Sequence, residues 1–209
     1  MIPSFEALER LKAGNQRVVN GESDLDKLTS EKRRSNLLAG QQPFAIILAC
    51  SDSRVPVEII FDQGLGDLFV IRVAGNVVAP SQIGSVEFAA AEFDTRLVVV
   101  LGHTSCGAVK ATLNELERPS QNRSPNLHSI VERIQPAVQG LLETELRHDR
   151  AALIHHAVRA NTRAAASHLS HGSRLLENLI QNDELLVVSA EYSLETGQVD
   201  FFDMPLEEG

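Results

Sequence analysis

The sequence predicts an α/β fold: a mostly parallel central sheet of four strands plus an antiparallel edge strand, helices on both faces, and an N-terminal helical arm. Three observations predict it. Four short, nearly continuous apolar runs, at 44–50, 67–72, 97–102 and 185–190, have the composition of strands buried on both faces. Helical segments separate these runs, and strands that alternate with helices pair in parallel. Late in the chain, Thr196-Gly197 joins the extended runs 192–194 and 199–202 as the turn of a closing hairpin.

The elements follow in order. Ser4 is placed as an N-cap, its hydroxyl free to accept from a first-turn N–H, and Glu6 suits the positive end of the helix. Ala7 leaves the reciprocal capping box incomplete. Phe5, Leu8 and Leu11 recur at helical spacing, with an expected interruption at Gly14. A second short helix is expected over 30–38, stopped by Gly40. Residues 1–40 thus form the arm, which covers either its own core or a partner subunit. The α/β core occupies 41–209, with helices expected over 81–93, 107–117, 127–140 and 155–180, the last broken near Gly172. Residues 117–125, rich in Pro, Ser and Asn, read as an exposed loop. No internal repeat divides the chain, so 1–209 is read as a single domain.

Composition narrows the function classes. Hydrophobic residues make up 43% of the chain, which argues against disorder, and aromatics only 4%, so packing must rest on Val, Ile, Leu and Ala. The 19 basic and 28 acidic side chains leave a net charge of −9, which disfavours general nucleic-acid binding. The short Lys32-Arg33-Arg34 cluster reads as a solvated helix face. No run approaches the ~18 apolar residues of a membrane span, and no secretory signal is visible at the N-terminus. A soluble, cytoplasmic protein with reduced thiols is expected.

The only two cysteines lie at predicted strand ends. Cys50 opens Cys50-Ser51-Asp52-Ser53-Arg54, and Cys106 follows His103 in His103-Thr104-Ser105-Cys106-Gly107. If the first and third strands are neighbours, 103 − 50 = 53 residues of separation collapse to one strand spacing, roughly 5 Å. Two thiolates, an imidazole and a carboxylate then converge, a donor set suited to zinc. The plainer reading makes both cysteines small buried hydrophobes. Their strand-end positions and the nearby His103 favour the metal.

These residues resemble the β-class carbonic anhydrases, and the resemblance runs on through Gly66-Asp67-Leu68-Phe69-Val70-Ile71-Arg72, Ala74-Gly75-Asn76-Val77, Gly84-Ser85-Val86-Glu87-Phe88, Ala190-Glu191-Tyr192 and Thr196-Gly197. It implies one Zn2+ per chain, held by Cys50, His103 and Cys106. It implies reversible hydration of CO2 to bicarbonate by attack of zinc-bound hydroxide, in a homodimer or an assembly of dimers. Asp52 and Arg54 match the family's carboxylate–guanidinium dyad. A bidentate Arg54 holds Asp52 off the metal, where Asp52 would otherwise be a possible fourth ligand in a closed state.

Some family members close in that way and bind bicarbonate beside a Trp, an Arg and a Tyr. Arg72 and Tyr192 match here, but Ile47 takes the Trp position, so Arg72 is read as structural. Gln41 and Ala49 match the open-site, plant-like type I subgroup, in which Gln41 donates to a bicarbonate or CO2 oxygen together with the Gly107 N–H. Phe69, Ala74 and Phe88 match an apolar wall for CO2; Val73 departs from a common Asn and leaves the second subunit's share of the pocket open. The six remaining histidines read as surface residues, and none is assigned as proton carrier. Two alternatives stand beside this reading: carbonyl sulfide or carbon disulfide hydrolysis on the same scaffold, and a non-catalytic, zinc-stabilised assembly protein.

Overall fold

The computed structural model describes residues 2–24, 28–119 and 124–203. Its centre is a five-stranded sheet built from β1 (Ala45–Ala49), β2 (Leu68–Arg72), β3 (Leu97–His103), β4 (Leu186–Tyr192) and β5 (Val199–Phe202). The spatial order is β2-β1-β3-β4-β5. The first three pairings are parallel and β4–β5 is antiparallel, as the alternating pattern and the Thr196-Gly197 turn require.

Both faces of the sheet are covered, which explains the continuous apolar runs. On β1, Ala45, Ile47 and Ala49 face one core, and Ile46 and Leu48 face another. Helix α1 (Ser4–Val19) presses Ala7, Leu8 and Leu11 onto the first core, and α3 (Val57–Ile60) adds Val57 and Ile60, whereas α2 (Glu31–Asn36) buries no residue. The second core receives Val86 and Ala89 of α4 (Pro80–Glu92). The same core receives Leu169 of α7 (Arg150–His171) and Leu176 of α8 (Arg174–Gln181). A third apolar cluster joins Cys50 and Cys106 to Val109 and Leu113 of α5 (Gly107–Glu117), Ile134 of α6 (Pro125–Val138) and Leu153 of α7.

Several sequence expectations are corrected. Helix α1 begins with Ser4 inside it and Pro3 as the N-cap residue, with no side-chain cap. It also runs unbroken through Gly14, because a Cβ there would overlap the Phe61 carbonyl; the glycine permits close helix packing rather than a break. Helix α1 of the arm covers its own core: Asn15 donates to the Ile60 and Gly197 carbonyls at 3.0 and 2.9 Å and accepts from Val199 N at 2.9 Å. Helix α7 starts five residues before its expected position because Asp149 accepts from the Ala151 and Ala152 N–H groups. Ser173 caps the separate α8 by accepting from Leu176 N. Within the expected loop, residues 120–123 lie outside those described.

Candidate metal centre

Strands β1 and β3 lie side by side, and their connections leave towards opposite edges of the sheet. This is a switch point, where the carboxyl ends of neighbouring strands open a crevice. Cys50 follows β1 there, and His103 ends β3. Ser105 then adopts left-handed backbone, φ 61°, turning the chain so that Cys106 arrives as the N-cap of α5. The turn is tied to β4, since Thr104 N donates to the Tyr192 carbonyl at 3.0 Å and Leu194 N donates to Thr104 Oγ1 at 3.0 Å.

The ligating atoms of Cys50, His103 and Cys106 all lie within 4.8 Å of one another, and all three residues are buried. The sulfurs are 4.0 Å apart. Two thiolates on a tetrahedral ion at ~2.3 Å would stand roughly 3.8 Å apart, so the spacing suits zinc. His103 Nδ1 donates to the Thr104 carbonyl at 3.0 Å, because that oxygen can only accept. The proton is thereby fixed on Nδ1 and the Nε2 lone pair is left free. Nε2 is buried and has no hydrogen-bond partner among the described residues. A buried acceptor with a fixed lone pair and no donor, facing two sulfurs, fits a metal cation.

The electrostatics agree. A hydrogen bond from Cys106 holds the Cys50 thiol below its ordinary value, against its burial and with help from the Asp52 and Gly75 N–H groups. The same hydrogen bond, then burial, then the Cys50 charge, push Cys106 up. The pair shares one proton, at a position where a bound cation would take its place. Gly75 N donates to Cys50 Sγ at 3.3 Å from a turn with φ 67°, a contact that sequence reasoning missed. The only signal for it was the glycine itself, just past a strand end.

Asp52 stands at the rim. Arg54 grips it with Nε to Oδ1 at 2.9 Å and Nη2 to Oδ2 at 2.7 Å, and Arg54 N also donates to Oδ1 at 3.0 Å. Asp52 Oδ2 lies 3.8 Å from His103 Nε2. The hydrogen bonds from Arg54 hold the carboxyl well below the usual carboxylate range, outweighing the partial burial. Arg72 donates to the carbonyls of Cys50 at 3.1 Å and Asp52 at 2.5 Å, bracing the backbone of the same loop.

Of the expected pocket residues, Ala74 and Gly107 lie beside this group: Ala74 precedes the Gly75 donor, and Gly107 opens the helix that Cys106 caps. The other three sit elsewhere in the chain. Gln41 is exposed and precedes β1, at the amino end of a strand whose carboxyl end carries Cys50. Phe69 pairs in register with Ile46, four residues before Cys50 or roughly 13 Å along the strand. Phe88 is 53% exposed and clusters with Phe69 and Phe93.

An α/β sheet with a buried thiol–imidazole–thiol group at its switch point defines a class of metal-site protein, and the comparisons narrow it. The sequence pattern of the carbonic anhydrase family matches residues 45–199. The chain is 46% identical over 132 residues to a carbonic anhydrase of Mycolicibacterium smegmatis, an alignment spanning 63% of each protein. It is 38% identical to carbonic anhydrase 2 of Mycobacterium tuberculosis over 194 residues, 92% of this chain and 89% of the relative. The solved β-carbonic anhydrase CcaA superposes with a TM-score of 0.74 at 25% identity, covering 97% of this chain and 94% of the other. A tetrameric β-carbonic anhydrase of Sordaria macrospora matches with a TM-score of 0.71 at 23% identity, covering 81% and 85%. The chain belongs to the β-class carbonic anhydrase family.

Proposed function

We propose that this chain catalyses the reversible hydration of CO2 at one zinc ion held by Cys50, His103 and Cys106. The observation that carries the reading is the buried Nε2 of His103, without a partner, beside two sulfurs and a carboxylate that Arg54 restrains. When bound, zinc would supply the Lewis acidity that makes water nucleophilic. Everything else is done by the chain.

Arg54 occupies both oxygens of Asp52 and so would restrain the carboxylate from ligating a metal held by Cys50, His103 and Cys106. From the rim, Asp52 would accept a hydrogen bond from a water and orient it towards CO2. The Gly107 N–H, at the unsatisfied start of α5, donates to the product oxygen. The apolar cluster around Cys50 and Cys106 keeps competing water out. An open site of the plant-like type I kind is favoured further by Ala49, by Ile47 in place of Trp, and by Arg72, which donates to two loop carbonyls.

Gln41, Phe69 and Phe88 then serve the pocket of a second subunit, because their own chain holds them away from its metal group. The exposed Phe88 beside Phe69 and Phe93 gives that contact an apolar face. The working unit is therefore a homodimer or an assembly of dimers, each chain acting as a single domain. Among the described residues no helix is long and apolar enough to cross a membrane.

The test compares zinc content and turnover on CO2, carbonyl sulfide and carbon disulfide for the native chain and Cys50→Ala. The proposal expects CO2 to be the preferred substrate and both zinc and activity to be lost in the variant. Hydration that survives in Cys50→Ala would remove the metal assignment, and preference for a sulfur substrate would move the reaction class.

A further inference from the structure

We propose that Cys50 and Cys106 are also an oxidative modification site: in the metal-free protein, hydrogen peroxide converts them into an intramolecular disulfide that shuts out zinc. The inference rests on the reading of both thiolates as zinc ligands and goes beyond it.

Three observations carry it. The sulfurs are 4.0 Å apart, already in contact, so a bond of ~2.05 Å requires them to approach by roughly 2 Å. Neither side chain belongs to a regular strand: Cys50 follows the end of β1, and Cys106 is a helix N-cap. The chain has no other cysteine, so within one molecule neither thiol has a competing partner. Both residues are buried, at 5% and 1% exposure, which hinders disulfides between molecules while leaving the pair open to an oxidant as small as its proposed substrate.

The chemistry balances in two steps. One thiol is oxidised by peroxide to a sulfenic acid, and the peroxide is reduced to water. The second thiol attacks that sulfur, the S–S bond forms, and a second water leaves with the sulfenic oxygen. The product keeps only His103 of the three ligands. Bound zinc opposes the reaction because it occupies both sulfurs.

The experiment exposes zinc-loaded and chelator-stripped protein to hydrogen peroxide, with circular dichroism to establish that the stripped chain remains folded. Intact mass, peptide mapping and zinc uptake are then measured. The stripped monomer should lose the mass of two hydrogens and yield one peptide linking positions 50 and 106. Its zinc uptake should fall from about one per chain to below about a tenth, and dithiothreitol should restore it. The zinc-loaded protein should react at least about tenfold more slowly. Cys106→Ser should give oxygen adducts on Cys50 in place of the internal link. Oxygen addition to both native thiols, or links only between chains, would overturn the proposal while leaving the zinc reading intact. Equal rates in the two forms would instead overturn the assignment of both thiolates to zinc.

Discussion

Asp52 and Arg54 form a two-point clamp, Oδ1 to Nε at 2.9 Å and Oδ2 to Nη2 at 2.7 Å, while Asp52 Oδ2 remains 3.8 Å from His103 Nε2. The carboxylate stands beside the imidazole and is held by a partner two residues away. In the proposed mechanism that clamp decides whether water or Asp52 takes the fourth position.

Removing the guanidinium is therefore a direct perturbation. Arg54→Met should stay folded and retain zinc but lower kcat for CO2 hydration about 10- to 100-fold, the range for residues that orient a metal's surroundings. Zinc analysis alongside stopped-flow hydration checks it; full activity in the variant would remove Arg54 from the mechanism.

The same clamp sets a pH window. Arg54 lowers the Asp52 pKa below its unfolded value of about 3.9, so the stabilisation is fully present above that value and is lost as pH falls through the lower, folded one. Asp52 should therefore remain ionised at pH 4, and an NMR titration of its carboxyl should show no midpoint there. In Arg54→Met the midpoint should rise towards about 3.9.

Activity should depend on pH in the opposite range. Two thiolates and a neutral imidazole cancel the charge of a divalent zinc ion, whereas a three-imidazole site keeps its positive charge and lowers its water pKa to roughly 7. CO2 hydration should consequently rise from about pH 6 to pH 9. A flat profile over that interval would contradict the charge argument.

The backbone before His103 is also sensitive. A Cβ on Gly102 would overlap Thr162 Oγ1 and stand 3.3 Å from Val158 Cγ1, both on α7. Gly102→Ala should destabilise the fold by about 1–3 kcal/mol, measured by urea unfolding, and reduce zinc affinity because His103 is the next residue. Unchanged stability would mean that α7 yields at this contact.

Much of this was legible in the sequence because the strands are buried on both faces. Runs such as Phe44–Cys50 could be read as strands, and their ends then located Cys50, Asp52 and His103. Less legible were features that depend on tertiary contact. Gly14 resembled a helix breaker until Phe61 was seen against it, and Gly75 gave no hint that its N–H meets a sulfur. Val57–Ile60 is too short for a helical period to register. Gln41, Phe69 and Phe88 are harder still: the fold holds them away from the metal group of their own chain, and spacing along the sequence gave no sign of that.

The central claim is tested most directly by a crystal structure of the zinc-loaded protein at two pH values, one near neutral and one alkaline. The account predicts zinc on Cys50, His103 and Cys106 with a water in the fourth position, and Asp52 still paired with Arg54 at both values. An Asp52 oxygen bonded to zinc near neutral pH, with the Arg54 pair broken, would contradict it.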